Sequence, residues 1–255
     1  MKTFASASPV IMDLGMNNGD DTDYYLKKGY RVMGVDANPR LCARARERFA
    51  DAVREKRLII VNAAIWSQAT TQPFFVNLDN DHWSSLDPAW AGRENSRTQA
   101  VEVECVPIAH LFARYGVPFY LKIDVEGADE LVLDSLVELP ELPFYLSLED
   151  CRFGYRYMEK LAALGYRSFQ LLDQSLVDRC VDNSIDHRFN PGSSGPFGPQ
   201  LPGEWLGHAQ IEERYSQEVR DREGNRQAPR THWWDIHCRA SAPVAAVREA
   251  ALQEG

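Results

Sequence analysis

Long apolar runs, an excess of positive charge and paired cysteines are all missing from this chain of 255 residues. Without a run of about 18 apolar residues, no membrane-spanning helix is expected. The formal net charge of −9 disfavours a nucleic-acid binder, which needs a basic face, and disfavours attraction to an anionic membrane. The five cysteines are odd in number and form no Cys-x-x-Cys pair, so reduced thiols in a cytoplasmic protein are expected. The N-terminal stretch has a very short apolar run, and we do not expect a secretion signal there.

The first two thirds of the chain alternate apolar runs with helical patterns. Hydrophobic residues make up 44% of the sequence, which is enough for a packed core. The predicted core strands are 9–15, 30–36, 57–66, 118–127, 143–150 and 231–240, with antiparallel additions at 73–78 and 99–107. The predicted helices are 22–28, 40–54, 108–115, 129–136, 155–164, 211–220 and 243–254. This alternation predicts an α/β fold with a mostly parallel sheet and helices on both faces.

The composition changes in the segment 183–229, which is rich in Gly, Pro, Asn and charged residues. We expect a single domain over residues 1–255, with this segment as a lid-like insertion; a disordered loop is the alternative. Phe197 and Trp205 favour a packed lid, since large apolar side chains gain by burial. Together with the loop around His82, these aromatic side chains are the predicted acceptor pocket.

A glycine-containing loop follows the first predicted strand. Its residues Asp13, Gly15, Asn17, Asn18 and Gly19 lack the third glycine of a dinucleotide-binding loop. Glycines permit a positive φ angle and a close approach of the backbone to a ligand. The loop lies at the carboxyl end of a strand, where doubly wound sheets bind their ligands.

The loop has acidic neighbours, with Asp13 before it and Asp20, Asp21 and Asp23 at the predicted helix start. Pyrophosphate binds helix N-termini, and nearby carboxylates would repel it. S-adenosylmethionine carries an ammonium and a sulfonium and no phosphate, so the acidic loop favours it over NAD. The same carboxylates also suit the positive end of a helix, whatever the ligand.

Two later strand ends extend this predicted cofactor site. Asp36 ends the second strand, where a carboxylate accepts hydrogen bonds from the ribose hydroxyls of either NAD or S-adenosylmethionine. Asn62 ends the third strand, where the adenine ring is expected. Trp66 either covers this ring or belongs to the core.

These motifs resemble the FkbM-type methyltransferases, a family within the Rossmann-like S-adenosylmethionine enzymes. The matching stretches are DLGMNNGDDT, GVDANP, NAAIW, the SSL of HWSSL, YLKIDVEGADELVL and SSGPFGPQLPGEW. The resemblance implies a class I methyltransferase fold with a seven-stranded sheet and S-adenosylmethionine as cofactor. It also implies methyl transfer to a hydroxyl of a sugar, glycan or polyketide-like small molecule. An NAD-dependent oxidoreductase and a non-catalytic cofactor-binding module are the alternatives.

Carried over by position, the resemblance assigns residues to the cofactor. Asp13, Gly15, Asn17, Asn18 and Gly19 match the family's cofactor loop, and Asp36 matches its ribose carboxylate. Asp124 and Glu126 match the turn after the YLKI strand, where we expect either cofactor contact or catalysis from Asp124 and a turn cap from Glu126.

An alcohol acceptor must also lose a proton or have its oxygen polarised. Lys122 and Asp124 lie on one face of their strand, and both are catalytic candidates. His82 and His187 are candidate general bases, because a neutral imidazole suits proton transfer near neutral pH. A divalent cation held by Asp124, Glu149 and Asp150 is the less favoured alternative.

Overall fold

The computed structural model of the protein describes residues 8–241. The chain divides into two compact units, Met1–Leu136 and Val137–Gly255; the single domain expected from the sequence stays a prediction. Within the described residues, no helix has both the length and the apolar character that a membrane span requires. The helix predicted at 243–254 lies outside the described residues.

The main sheet has seven strands and is mostly parallel, which confirms the predicted fold class. The strands of the described residues are β1 (Val10–Leu14), β2 (Arg31–Asp36), β3 (Leu58–Asn62), β4 (Ala64–Ile65), β5 (Thr70–Asn77), β6 (Thr98–Val106), β7 (Tyr120–Ile123), β8 (Tyr145–Glu149), β9 (Ser168–Asp173), β10 (Val181–Asp182), β11 (His187–Arg188) and β12 (Trp234–Arg239). The α-helices are α1 (Asp20–Lys27), α2 (Pro39–Arg48), α3 (Ala50–Arg54), α4 (Pro88–Ala91), α5 (Ile108–Tyr115), α6 (Asp129–Leu136), α7 (Gly154–Ala163) and α8 (His208–Glu218). The strand order of the main sheet is β3-β2-β1-β7-β8-β12-β9.

In the first unit, β3, β2, β1 and β7 are parallel neighbours. Leu14 at the end of β1 pairs with Val35 of β2 and with Ile123 of β7. The side chains of β1 and β7 are all buried, as expected for parallel strands that are covered on both faces. The loops after β1, β2 and β7 therefore begin at one edge of this sheet, which is where open α/β sheets bind ligands.

A smaller sheet interrupts the first unit between β3 and α5. Its strands β5 and β6 are antiparallel, as the alternation of apolar and polar residues predicts, and β4 adds to β6 in parallel. Phe74, Val76 and Val103 form its apolar core. The chain between β5 and β6 contains α4 and two short 3-10 turns. We call residues 81–95 of this connection the insertion segment.

In the second unit, β12 is antiparallel and lies between β8 and β9. The segment 183–229 packs within this unit, because Phe197 is fully buried and Leu206 pairs with Phe169 of β9. Its helix, α8, begins three residues before the predicted start and ends two residues before the predicted end. The centre of the segment is therefore packed, and its action as a lid stays a prediction.

Several elements differ from the sequence-based expectation, and three of the larger ones have a structural reason. The helix predicted at 40–54 breaks at Phe49, which has φ −111° and whose ring contacts the glycine loop. The strand predicted at 57–66 splits at Ala63, because Ala64 and Ile65 pair with β6 instead of the main sheet. Strand β9 was not predicted, since its leucines and glutamine suit a helix equally well.

Candidate active site

The loop between β1 and α1 depends on two glycines with left-handed backbone angles. Gly15 has φ 81° and Gly19 has φ 83°. A Cβ atom at Gly15 would lie 1.7 Å from the carbonyl oxygen of Asp124, immediately after β7. A Cβ atom at Gly19 would lie 2.6 Å from the ring of Phe49. Glycine is therefore required at both positions for the angle and for the space.

Asp36, at the end of β2, holds two loops together. One carboxylate oxygen accepts the N–H of Asn17 at 2.8 Å, and the other accepts the N–H of Asn38 at 2.7 Å. Burial raises the pKa of this carboxyl to about 6, although the two backbone hydrogen bonds lower it. A carboxylate has about four acceptor positions, so each oxygen can still accept a ribose hydroxyl.

Asn62, the predicted adenine neighbour, stabilises the same region. Its amide Nδ2 donates to the carbonyl oxygens of Asp36 and Ala37, both at 3.0 Å. The side chain therefore fixes the loop that starts α2. Its contact with an adenine ring stays a prediction.

Lys122 of β7 is a buried cation among carboxylates. Its ammonium lies 3.4 Å from Asp13, 3.4 Å from Asp21 and 3.3 Å from Asp124. It also donates to the carbonyl oxygen of Gly15 at 3.3 Å. A buried ion pair with these contacts fixes the relative positions of β1, α1 and β7. Lys122 is therefore placed to position the cofactor loop.

Asp13 has no solvent-exposed surface. One carboxylate oxygen accepts the hydroxyl of Thr22 at 2.9 Å. Burial raises the pKa of the Asp13 carboxyl, and the neighbouring charge of Lys122 opposes this shift. Asp13 thus supports the loop from behind, and its direct contact with a cofactor stays a prediction.

The acidic residues at the start of α1 are less repulsive than the sequence suggests. Asp20 pairs with Arg48 at 2.8 Å, and Asp23 pairs with Lys27 at 2.6 Å. These ion pairs therefore weaken the repulsion of phosphate that the sequence suggests. A different feature disfavours phosphate, because the N–H of Asp20 is already bonded to the Asn18 side chain at 2.9 Å.

The turn after β7 is fixed by Asp129, the first residue of α6. Its two carboxylate oxygens accept the N–H groups of Val125 and Gly127, each at 3.1 Å. Glu126, between them, has a left-handed φ of 51°. The expectation that Glu126 caps this turn is wrong, since Asp129 supplies the cap and frees the Glu126 side chain for other contacts.

The Glu126 side chain contacts the insertion segment. Its Oε2 atom accepts the indole N–H of Trp90 at 2.7 Å and a guanidinium N–H of Arg93 at 2.9 Å. The Ser85 hydroxyl donates to the Glu126 carbonyl oxygen at 2.6 Å. Arg93 in turn lies over the Trp83 ring, 4.6 Å from its centroid. Sequence reasoning missed this cluster, because its members are separated by more than thirty residues of chain.

The candidate histidines have different surroundings. His82 belongs to the insertion segment; its side chain is 45% exposed, and Nε2 lies 3.9 Å from Asp81. His187 in the second unit is buried, and its ring packs edge-on against another ring at a centroid distance of 4.9 Å. His232, also in the second unit, has Nδ1 2.5 Å from Asp173. Of these histidines, His82 shares a unit with the cofactor loop.

The acidic candidates of the second unit have partners of their own. Asp150 is buried, accepts the hydroxyl of Tyr215 and lies 3.7 Å from Arg220. Glu149, at the end of β8, is half-buried. A cation bound by Asp124, Glu149 and Asp150 stays the less favoured hypothesis.

The aromatic candidates of the predicted acceptor pocket contact protein. Phe197 has no exposed surface. The ring centroids of Trp205 and Tyr145 are 6.0 Å apart. The guanidinium of Arg239 lies over the Trp205 ring, 4.7 Å from its centroid. A direct contact of Phe197 with an acceptor would therefore require the segment 183–229 to rearrange.

The sheet order, the antiparallel strand β12, the glycine loop after β1 and the carboxylate that ends β2 define a Rossmann-like class I methyltransferase fold. The sequence identifies the branch of this class. Residues 13–174, more than half of the chain, match the methyltransferase FkbM domain. The chain belongs to the FkbM methyltransferase family, which confirms the resemblance seen in the sequence.

Comparison with solved structures returns several methyltransferases. One is the 1,6-didemethyltoxoflavin-N1-methyltransferase of Burkholderia thailandensis, with 11% identity, a TM-score of 0.37, and coverage of 92% of this chain and 72% of that chain. Another is a SAM-dependent methyltransferase of Geobacter sulfurreducens in complex with S-adenosyl-L-homocysteine, with 10% identity, a TM-score of 0.39, and coverage of 92% and 86%. At these values the likenesses add nothing to the family assignment. No curated protein matches the chain by sequence.

Family membership implies S-adenosylmethionine as the methyl donor, and the loop after β1 fits this molecule. The side-chain oxygen of Asn17 is buried and has no hydrogen-bond partner among the described residues. A buried amide oxygen without a donor is costly, and a ligand donor such as an ammonium would satisfy it. Asn17 lies between the two glycines, and its N–H binds Asp36. The residues present therefore suit a ligand with an ammonium group and a ribose.

Proposed function

We propose that the protein transfers the methyl group of S-adenosylmethionine to a hydroxyl oxygen of a sugar, a glycan or a polyketide-like small molecule. One observation carries the proposal: a chain of the FkbM family has an unpartnered buried oxygen on Asn17 beside the ribose-type carboxylate of Asp36. The choice of oxygen as the acceptor atom comes from the family resemblance.

The cofactor would be held by residues of the first unit. Asp36 would accept the ribose hydroxyls, Asn17 and the backbone of the Gly15–Gly19 loop would hold the methionine end, and Asn62 would lie beside adenine. The bound cofactor supplies an activated methyl group on a sulfonium. The protein then needs chiefly to position the acceptor and accept its proton.

Among the candidates for catalysis, Lys122 mainly positions the cofactor loop and Asp124 mainly positions the cofactor. Lys122 is 4% exposed and contacts three carboxylates, so an acceptor has little access to it. Asp124 is 32% exposed and lies between this cation and solvent, which suits contact with the cofactor's ammonium. His82 is an accessible candidate base, and His187 would need to become exposed first.

The proposal includes a cytoplasmic location and a small-molecule or carbohydrate acceptor, with no nucleic-acid or membrane partner. No disulfide joins the five cysteines, all of which lie in the described residues, and four of them are buried, which supports a reducing environment. The net charge of −9 supports the exclusion of nucleic acid.

A methyl-transfer assay tests the function. The purified protein is incubated with methyl-labelled S-adenosylmethionine and, in separate reactions, with methyl glycosides and a small-molecule extract of the source cells. We expect a labelled product whose mass increases by one methyl substitution, and release of its methyl group by ether cleavage. A labelled product that resists ether cleavage would contradict oxygen as the acceptor atom. No label in any reaction, despite bound S-adenosylhomocysteine, would contradict the activity.

A further inference from the structure

We propose that Glu126 is the catalytic base that takes the proton from the acceptor hydroxyl, with Arg93 and Trp90 as its positioning residues. This inference rests on the proposed function and names a residue for its chemical step. All three side chains belong to the first unit, which also carries the cofactor loop.

The backbone at Glu126 is held in an unfavourable conformation. Its φ of 51° lies in the left-handed region, which is uncommon for a residue with a side chain. Asp129 binds the N–H groups on both sides of it, and Ser85 binds its carbonyl oxygen at 2.6 Å. Such strain persists where surrounding contacts enforce it, and it is concentrated at functional sites.

The two carboxylate oxygens of Glu126 have different surroundings. Trp90 and Arg93 both donate to Oε2, at 2.7 Å and 2.9 Å. In the part of the chain that the structure describes, no hydrogen bond to Oε1 accompanies them. The Glu126 side chain keeps 14% of its surface exposed. One oxygen therefore orients the group, and the other is available to a ligand.

The electrostatic surroundings suit proton transfer at neutral pH. Burial, and next the negative charge of Asp124, raise the pKa of Glu126 to about 7 against the opposing effects of Arg93 and the Trp90 hydrogen bond. Asp129 adds a smaller upward contribution. A general base works best with a pKa near the operating pH, and the upward shift moves the pKa of Glu126 in that direction.

The position of Glu126 follows from the cofactor loop. The carbonyl of Asp124 is so close to Gly15 that a Cβ atom there would lie 1.7 Å from it. Glu126 is two residues further along this turn, and a Cβ atom at Gly127 would lie 3.4 Å from the Trp90 ring. The base is therefore attached by a short, fixed backbone to the segment that touches the predicted cofactor loop.

The proposed step couples methyl transfer to loss of the hydroxyl proton. The acceptor oxygen forms a bond to the methyl carbon, and the carbon–sulfur bond breaks with its electron pair remaining on sulfur. The hydroxyl proton passes to Oε1 of Glu126, which is ionised before the step and neutral after it. The proton then leaves to solvent when the product dissociates.

The test compares three variants in the full-length chain, all assayed in EDTA. Glu126→Gln keeps the size and can still accept from Trp90 and Arg93. Glu94→Gln is the matched control, because it removes the same charge from the exposed neighbour of Arg93. Arg93→Met removes a cation that lowers the pKa of Glu126.

Three measurements are combined. Carboxyl-carbon NMR of the protein with bound S-adenosylhomocysteine follows the glutamate signal that disappears in Glu126→Gln. Transfer of label from methyl-tritiated S-adenosylmethionine to the cell extract measures turnover, and calorimetry with S-adenosylhomocysteine checks the fold and the cofactor site of each variant.

We expect the Glu126 signal to titrate near 7, and to titrate at a higher pH in Arg93→Met. Glu126→Gln should lower turnover about 10²- to 10⁴-fold, the usual contribution of a general base. It should bind S-adenosylhomocysteine normally, and Glu94→Gln should match the wild type. Turnover in Glu126→Gln within threefold of wild type would overturn the inference, as would titration near the ordinary 4.5. If the wild type labels nothing, the proposed function fails and the inference fails with it; labelling that survives Glu126→Gln overturns the inference alone.

Discussion

Replacing Lys122 by methionine tests how much the buried charge cluster at the ends of β1 and β7 stabilises the fold. The ammonium is 4% exposed and lies within 3.4 Å of Asp13, Asp21 and Asp124. Removing one partner of a buried ion pair leaves the others uncompensated and costs about 3–5 kcal/mol. For a chain of this size, this corresponds to a fall in melting temperature of about 6–20 °C.

The loss should depend on pH in a definite direction. Burial already raises the pKa of the Asp13 carboxyl, and Lys122 opposes that shift, so the variant should raise this pKa further. A group whose pKa is raised in the folded state favours folding at low pH, and this contribution is lost as the pH rises through the folded-state value. The Lys122→Met variant should therefore be destabilised more at about pH 8 than at about pH 5.

Thermal unfolding followed by tryptophan fluorescence measures both effects. Lys27→Met is the matched control, because that lysine is 51% exposed and its pair with Asp23 should contribute at most about 0.5 kcal/mol. Adding Asp13→Asn to Lys122→Met should recover part of the loss at high pH. A Lys122→Met variant as stable as Lys27→Met, or a loss that does not change with pH, would refute this reasoning.

Three further outcomes follow from the site. Gly15→Ala places a Cβ atom 1.7 Å from the Asp124 carbonyl oxygen and should cost about 2–4 kcal/mol of unfolding free energy, whereas Gly29→Ala, with open space around it, should cost about 1 kcal/mol or less in the same denaturation experiment. Asp36→Asn should weaken S-adenosylhomocysteine binding about ten- to hundredfold in a calorimetric titration, through loss of charge-assisted hydrogen bonds, whereas the exposed Asp51→Asn should not. Turnover should be unchanged after EDTA treatment and unaffected by added magnesium, because a carboxylate is the proposed proton acceptor; a loss that magnesium restores would favour the cation hypothesis.

The parts of the site that local sequence determines were predictable. The Gly15–Gly19 loop comes directly after an apolar strand, and Asp36 is the last residue of another. The end of a parallel strand is where such residues meet a ligand. The same holds for most strands of the main sheet, whose continuous apolar runs have few alternatives in an α/β chain. Family membership was predictable because these motifs occur together.

The contacts that depend on distant residues were not predictable. Arg48 neutralises Asp20 across 28 residues, and Arg93 reaches Glu126 across 33, so neither pairing leaves a local pattern. The break of the second helix at Phe49 has the same origin, since packing against Gly19 decides it. For Glu126, the available signal was a glutamate followed by glycine in a turn, which indicates an unusual backbone without indicating its partners.

The central claim is that the loop after β1 binds S-adenosylmethionine rather than a dinucleotide. Calorimetric titration of the wild-type protein with S-adenosylhomocysteine, and separately with NAD, tests it most directly. We expect saturable binding of S-adenosylhomocysteine at one site per chain and no heat from NAD. Saturable binding of NAD without binding of S-adenosylhomocysteine would contradict the account.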